Sequence, residues 1–264
     1  MNRAVVALLM IVMFGGGSLA SEASGHSVAV GSLALQTEIN TSSSQIQCPA
    51  GTPTNIECFA RTGDAVVPGL GAVHDSHSYV EEVAPAGCVP PPGADAVRLK
   101  PSTVVLTVAG KGSIDLSTGG TGCLAHTTGT LVATETFTIT GGSGVYAGAS
   151  GGGTLETHSS PPIGGGADIW TGTLIVPGYS FDLTPPTIKG AKNRTVRVPR
   201  NVKRVRVKYS VTAVDDVDSD VPVTCRPRSG SRFRVGRARV TCSATDTSAN
   251  IRKATFTVTV KPRR

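Results

Sequence analysis

An acidic run in the last quarter of the chain carries residues suited to binding a hard cation. Four Asp side chains fall within six consecutive residues: Asp215, Asp216, Asp218 and Asp220. Carboxylate oxygens are the ligands that Ca²⁺ prefers, and Asp182 and Asp246 could add to them. The run lacks the central Gly and terminal Glu of an EF-hand loop. It predicts either a Ca²⁺ site, on a loop or between domains, or a turn in which Asp side chains bond their own backbone.

Two other motifs could serve catalysis or metal binding. The sequence around Ser150 fits the Gly-x-Ser-x-Gly elbow of serine hydrolases, which needs a helix after the serine. Residues 153–157 instead read as a strand, and no histidine follows His158. His74 and His77 could form a metal pair, but their surroundings favour an exposed polar loop. The sequence therefore predicts no catalytic residues.

Glu135 is a carboxylate on an apolar strand face. It shares the alternating phase of Leu131, Ala133, Phe137 and Ile139. Inside a barrel, it would lie among apolar walls that raise its pKa and could anchor a ligand in the lumen. The alternative is a strand end or bulge that turns the carboxylate into water.

The N-terminus has the pattern of an export signal. Arg3 precedes an apolar run over residues 4–14, and small residues follow at Ser18 and Ala20. The run is too short to span a bilayer, so we interpret residues 1–20 as a signal peptide. The protein is expected to be secreted, extracellular or associated with the cell surface, with no transmembrane segment.

Six cysteines in an exported chain favour three disulfides. The two C-terminal cysteines lie on the apolar phase of their strands, which indicates a bridge in one core. Cys48 and Cys58 bracket a short loop, which favours a local bridge between them. Cys88 and Cys123 are then left to pair with each other. No Cys-x-x-Cys pair supports a zinc site. The predicted bridges are Cys225–Cys242, Cys48–Cys58 and Cys88–Cys123.

Charge differs sharply along the chain. Residues 181–264 hold 20 Lys and Arg against 6 Asp and Glu, a net charge of +14, whereas residues 1–180 hold 5 against 12, a net charge of −7. Such a basic segment attracts polyanions, although a solvated surface, or docking onto the acidic domain, would explain it too. Without a recognition helix, sequence-specific nucleic-acid binding is not expected. The candidate polyanion-binding residues lie on the polar phase of strands: Arg197, Arg204, Arg206, Lys208, Arg237 and Arg239.

The elements that position these residues read as strands throughout. Alternation at Val205, Val207 and Tyr209 is typical of half-buried strands, and Val104, Leu106 and Val108 repeat it. Short strands between Gly-rich turns predict an all-β protein. We expect an N-terminal antiparallel β-barrel-like domain over residues 24–180, followed by an immunoglobulin-like β-sandwich over residues 181–262.

The C-terminal segment resembles the HYR (hyalin repeat) domain. The resemblance rests on Asp182-Leu183-Thr184-Pro185-Pro186, Val223-Thr224-Cys225, Val240-Thr241-Cys242 and Ala244-Thr245-Asp246, which occur in the family's order. It implies an immunoglobulin-like extracellular module linked to adhesion. One position departs from the pattern: the usual Gly before Asn250 is Ala249, which is strained if the turn needs a positive φ.

A shorter resemblance concerns the N-terminal domain. Residues 137–154, with Gly141-Gly142-Ser143-Gly144-Val145-Tyr146-Ala147-Gly148 at their centre, look like the hairpin of allene oxide cyclase-like and dirigent-like barrels.

Taken together, the export signal, the basic segment and the HYR resemblance predict a secreted, non-catalytic binding or adhesion protein whose partner is an extracellular polyanion, polysaccharide or surface protein. The alternative is a small-molecule-binding or cyclase-like barrel with an HYR targeting module, which an open lumen at Glu135 would favour.

Overall fold

The computed structural model describes residues 28–83, 94–125, 130–159 and 165–263. Within these ranges the chain is built of strands, with a single 3₁₀ turn at Gly144–Tyr146. The predicted signal peptide, residues 1–20, lies outside the described residues. The all-β prediction is confirmed.

Eight antiparallel strands close into a barrel. The strands are β1 (Val28–Ile46), β2 (Ile56–Val67), β3 (Gly71–Val83), β4 (Ala94–Val108), β5 (Gly112–Ala125), β6 (Thr130–Gly142), β7 (Ser150–Ser159) and β8 (Gly165–Asp182). Each strand pairs with the next along the chain, and β8 returns to pair with β1. Closure leaves no free sheet edge, which protects the barrel from edge-to-edge association.

The barrel interior follows from the period-two pattern of its strands. Along β6, every second residue from Leu131 to Ile139 is buried and those between are exposed, as expected for a strand with one face inside. One apolar zone includes Trp170, which meets Phe137 edge to face at 5.1 Å between ring centroids. A second apolar zone includes Phe59 and Tyr79. Between the two zones the strands carry polar residues.

The C-terminal segment forms a sandwich around its own core. Its strands are β9 (Thr187–Lys189), β10 (Arg194–Val198), β11 (Arg204–Arg206), β12 (Thr212–Val214), β13 (Val223–Arg226), β14 (Arg232–Arg234), β15 (Gly236–Thr245) and β16 (Ile251–Pro262). A four-stranded sheet has the order β10-β16-β15-β13, while β11 pairs with β14 and β12 with β9. Phe233 of β14 packs in one core with Val240 and Phe256 of the larger sheet.

The two domains meet at the turn that joins β15 to β16. The backbone N–H of Gly69 donates to the Ser248 carbonyl at 2.7 Å, and Asn250 Nδ2 donates to the Asp182 carbonyl at 3.0 Å. Gly71 has φ +108°, and a Cβ there would lie 2.5 Å from the Thr247 carbonyl oxygen. Only glycine therefore allows the β2–β3 turn to approach this closely.

Ala249 occupies the strained position expected from its departure from the HYR pattern. Its φ is +66°, in the left-handed region that a Cβ disfavours. The residue is buried, and its backbone N–H donates to the Asp246 carbonyl at 3.2 Å. The turn thus keeps a left-handed residue at position 249, although alanine adopts that conformation at a higher energetic cost than glycine does.

Candidate functional site

The surface that we call the arginine ribbon consists of Arg204 and Arg206 on β11 with Arg232 and Arg234 on β14. Arg204 lies directly opposite Arg234, and Arg206 opposite Arg232. All four side chains are exposed, because Val205 and Phe233 between them point into the core. Directly opposed like charges destabilise a sheet. None of the ion pairs within the described part of the chain involves these arginines.

The other predicted basic residues lie elsewhere on the sandwich. Lys208 is exposed just after β11, but Arg197, Arg237 and Arg239 project from the four-stranded sheet. Two sheets that pack on one core have outer faces on opposite sides of the sandwich. The six predicted residues are all exposed, but they therefore lie on two separate surfaces. Sequence reasoning missed Arg232 and Arg234, although their alternation about Phe233 was a usable signal.

The predicted Ca²⁺ ligands also divide into two groups. Asp215 and Asp218 lie with Asp182 and Asp246, and one carboxylate oxygen from each of these four residues falls within 4.8 Å of the others. Asp216 and Asp220 are exposed and lie outside this cluster. The structure thus joins half of the acidic run to two carboxylates from other segments.

A layer of buried polar side chains crosses the barrel between its two apolar zones. Arg61 Nη1 donates to both carboxylate oxygens of Asp168, at 2.9 and 3.1 Å. Thr157 Oγ1 donates to Asp168 Oδ1 at 2.9 Å, and Arg61 Nε donates to Ser43 Oγ at 3.1 Å. These contacts link strands β1, β2, β7 and β8 across the interior. We call this set the polar layer: Ser43, Arg61, Asp75, Glu135, Thr157 and Asp168.

Glu135 belongs to the polar layer. It points into the barrel, as its phase predicts, and Thr157 Oγ1 donates to its Oε1 at 3.4 Å. Burial raises the pKa of its carboxyl group, against a lowering influence from Arg61. One interior cavity among the described residues measures about 20 Å³, has apolar walls such as Leu106 and Trp170, and is not lined by Glu135. That volume is no larger than one water molecule, so this cavity would not admit a larger ligand, and a lumen ligand at Glu135 stays a prediction.

The two histidines considered as a metal pair point to opposite faces of β3 rather than lying on a polar loop. His74 is exposed, and its Nδ1 lies 2.9 Å from Asp64 Oδ1. The side chain of His77 is buried, with Nδ1 2.8 Å from Asp75 Oδ1. A separation of three residues on a strand places side chains on opposite faces, so these two imidazoles do not converge.

Glu81 lies inside the barrel on β3 and makes folding sensitive to pH. Burial raises its pKa to about 7; Arg61 acts in the opposite direction, and Glu57 and Glu135 reinforce the rise. A carboxyl group whose pKa is raised by folding favours the folded state while it is protonated. Its contribution to stability is complete below the unfolded pKa of 4.5 and is lost as pH rises through the folded pKa of about 7. We expect Glu81→Gln to remove that slope and to stabilise the barrel at pH 8 by about 3 kcal/mol. Urea unfolding at pH 4 and pH 8 measures this, and equal effects at both values would contradict it.

Two of the predicted disulfides are confirmed. Cys225 bridges Cys242 between β13 and β15, and Cys48 bridges Cys58 at the start of β2. The third predicted bridge, Cys88–Cys123, includes Cys88, which lies outside the described residues. Cross-links of this kind fit an extracellular location.

The Gly-x-Ser-x-Gly motif does not form a nucleophile elbow. Ser150 is the first residue of β7, which runs to Ser159, and a 3₁₀ turn precedes it. A hydrolase elbow needs a helix directly after the serine. A strand takes that place here, because Leu155 and Thr157 alternate inward with exposed residues between them.

Comparison with known families identifies the C-terminal domain. Residues 181–260 match the HYR domain, which confirms the resemblance in that segment. HYR domains are extracellular modules of the adhesion type. No curated protein matches the chain. Among the described residues, no helical segment has the length and apolarity needed to span a bilayer.

Proposed function

We propose that this protein is a secreted, non-catalytic binding protein that attaches to anionic polysaccharide at a cell surface or in an extracellular matrix. The arginine ribbon of the HYR domain is the binding surface. The barrel serves as the body to which this module is attached.

The observation that carries the proposal is the opposition of like charges across β11 and β14. Opposed residues on an antiparallel pair have Cβ atoms about 4.5–5.5 Å apart, and alternate residues of a strand lie about 7 Å apart along it. Four guanidinium groups therefore share one small patch. Arg206 Nη1 donates to the Gly230 carbonyl at 3.2 Å, which leaves most of its donors for an external anion.

The chemistry of the patch favours sulfate or carboxylate groups on a flexible chain. Guanidinium groups bind such anions through paired hydrogen bonds. Single-stranded nucleic acid is usually held by aromatic side chains on which bases stack. Tyr209 and Phe233, the aromatic residues closest to the patch in sequence, are buried. A polysaccharide with repeated acidic groups matches the patch better than nucleic acid does.

The test compares two double variants that remove equal charge from opposite faces. Arg232→Gln with Arg234→Gln should abolish retention of the purified protein on immobilised heparin at physiological salt. Arg237→Gln with Arg239→Gln should reduce retention only slightly. Wild-type binding should weaken steeply with added salt, because it is electrostatic.

The ribbon variant should also keep its fold. Removing opposed like charges relieves repulsion of about 0.2–1 kcal/mol per pair, so its melting temperature should equal or exceed that of the wild type. Equal losses of heparin retention in the two double variants would mean that net charge alone attracts the polymer. Full retention in the ribbon variant would overturn the proposal.

A further inference from the structure

Four carboxylates converge where the barrel joins the sandwich. Asp182 is the last residue of β8, Asp215 and Asp218 follow β12, and Asp246 follows β15. Their nearest oxygens lie within 4.8 Å of one another. Calcium binds oxygens at 2.3–2.6 Å, so ligands on opposite sides of the ion stand about 4.6–5.2 Å apart. The cluster therefore has the span of a calcium site.

Two of these carboxylates keep a buried oxygen that finds no hydrogen-bond partner in the part of the chain that the structure describes. Asp182 is only 6% exposed; its Oδ1 accepts from the Thr184 N–H at 2.9 Å, while its Oδ2 is inaccessible and has no partner. Asp215 repeats this arrangement. Its Oδ1 accepts from the backbone N–H groups of Val217 and Asp218, and its Oδ2 is buried without a partner. Buried unpaired carboxylate oxygens are costly, and a bound cation would satisfy both.

The remaining two carboxylates are held by the turn between β15 and β16. Asp246 Oδ1 accepts from the backbone N–H groups of Ser248 and Asn250, at 3.0 and 2.8 Å. Asp218 accepts from the backbone and hydroxyl of Thr247, both at 2.8 Å. Contacts from neutral donors fix the positions of these groups but leave their negative charges uncompensated.

A lysine of the barrel lies beside the cluster but does not neutralise it. Lys111, from the barrel turn between β4 and β5, donates through Nζ to the Leu70 carbonyl at 2.8 Å and to Ser248 Oγ at 3.1 Å. Burial lowers its pKa, while Asp218, Asp182 and Asp246 act to raise it. Burial also raises the carboxyl pKa of Asp182 and Asp246, and neighbouring carboxylates reinforce both shifts. One ammonium therefore faces a cluster of four carboxylates, three of which, Asp182, Asp218 and Asp246, act on its pKa.

We propose that Asp182, Asp215, Asp218 and Asp246 bind one Ca²⁺ ion that holds the barrel and the sandwich together. The ion would cross-link the end of β8, the acidic run and the β15–β16 turn. That turn also accepts a hydrogen bond from Gly69 of the barrel. The site is independent of the arginine ribbon. Asp216 and Asp220 of the acidic run are not ligands in this assignment.

The primary test is thermal unfolding of the purified protein in calcium chloride and in chelator. A ligand that binds only the folded state raises the melting temperature by mass action. We expect a saturable rise of about 5 °C when calcium is in hundredfold excess over its dissociation constant. Asp182→Asn and Asp215→Asn should each remove most of this rise, since each neutralises a ligand with little change in shape. Asp220→Asn, from the same acidic run, should leave it intact.

Calorimetric titration of the wild-type protein with calcium chloride gives a test that needs no variant. The expected result is one ion per chain, with no loss of affinity in Asp220→Asn. Lys111→Met should strengthen calcium binding, because it removes a positive charge beside the ion. No heat of binding and identical melting curves in calcium and chelator would overturn the site. A calcium effect that survives in both Asp182→Asn and Asp215→Asn would overturn this choice of ligands.

Discussion

Replacing Arg61 with methionine should lower the free energy of unfolding of the barrel by about 3–5 kcal/mol. The substitution removes the guanidinium that bonds both oxygens of Asp168, a carboxylate with no exposed surface. Burial already raises the pKa of the Asp168 and Glu135 carboxyl groups, and Arg61 opposes both shifts. Without Arg61, each carboxylate must stay charged in a desolvated site or take up a proton.

Urea unfolding followed by Trp170 fluorescence measures this loss, because the sole tryptophan of the chain is buried in the barrel. The penalty should shrink as pH falls, since protonation removes the uncompensated charge. Arg98→Met removes an exposed arginine from β4 and should change stability by less than about 0.5 kcal/mol. Adding Asp168→Asn to Arg61→Met should restore part of the loss. Equal stability of the Arg61 and Arg98 variants would contradict a structural role for the polar layer.

Removing the Cys225–Cys242 bridge should destabilise the sandwich by about 3 kcal/mol. The two residues are direct partners between β13 and β15, separated by 17 positions in sequence. Without the bridge, the unfolded chain gains conformational freedom in that loop, which favours unfolding. Cys242 is fully buried and Cys225 packs against the same core, so alanine at both positions also removes packed sulfur atoms.

Differential scanning calorimetry of Cys225→Ala with Cys242→Ala measures this loss. The Cys48→Ala with Cys58→Ala variant serves as the matched control, since that bridge lies in the barrel. The control should leave the sandwich transition where it is. A double variant of Cys225 and Cys242 that melts like the wild type would show that the bridge contributes nothing to the folded domain.

Local alternation was enough to predict much of this fold. The inward phase of Leu131, Glu135 and Ile139 is the phase seen in β6, and the shared apolar phase of Cys225 and Cys242 predicted their bridge. Such patterns depend on the geometry of one strand, which neighbouring residues determine. The strand architecture and two disulfide pairings were therefore accessible from the sequence.

The polar layer was not accessible, because it depends on barrel closure. Arg61 and Asp168 are 107 positions apart, and nothing local to either residue identifies its partner. A charged residue on an inward phase reads as a strand end or a bulge until the pairing of all eight strands is known. The phase of Glu135 allowed either an inward position or a strand end facing water, and an inward position was expected to have apolar walls rather than Arg61 and Thr157 as neighbours.

The same distinction between local alternation and long-range pairing limited how far the two candidate sites could be predicted. Alternation along β11 predicts that Arg204 and Arg206 are exposed. The pairing of β11 with β14, which brings Arg232 and Arg234 opposite them, is determined by the tertiary fold. The acidic run supplies two of the four clustered carboxylates, those of Asp215 and Asp218. Only the folded chain separates residues that converge with Asp182 from residues that face solvent.

Arginine-selective labelling with a dicarbonyl reagent, read by peptide mass spectrometry, tests the central claim most directly. The purified protein is labelled alone and with a saturating sulfated oligosaccharide. Bound oligosaccharide should protect the arginine ribbon, Arg204, Arg206, Arg232 and Arg234, while Arg197, Arg237 and Arg239 stay reactive on the opposite face. Protection of the opposite face instead, or equal reactivity of every arginine with and without the oligosaccharide, would contradict the account.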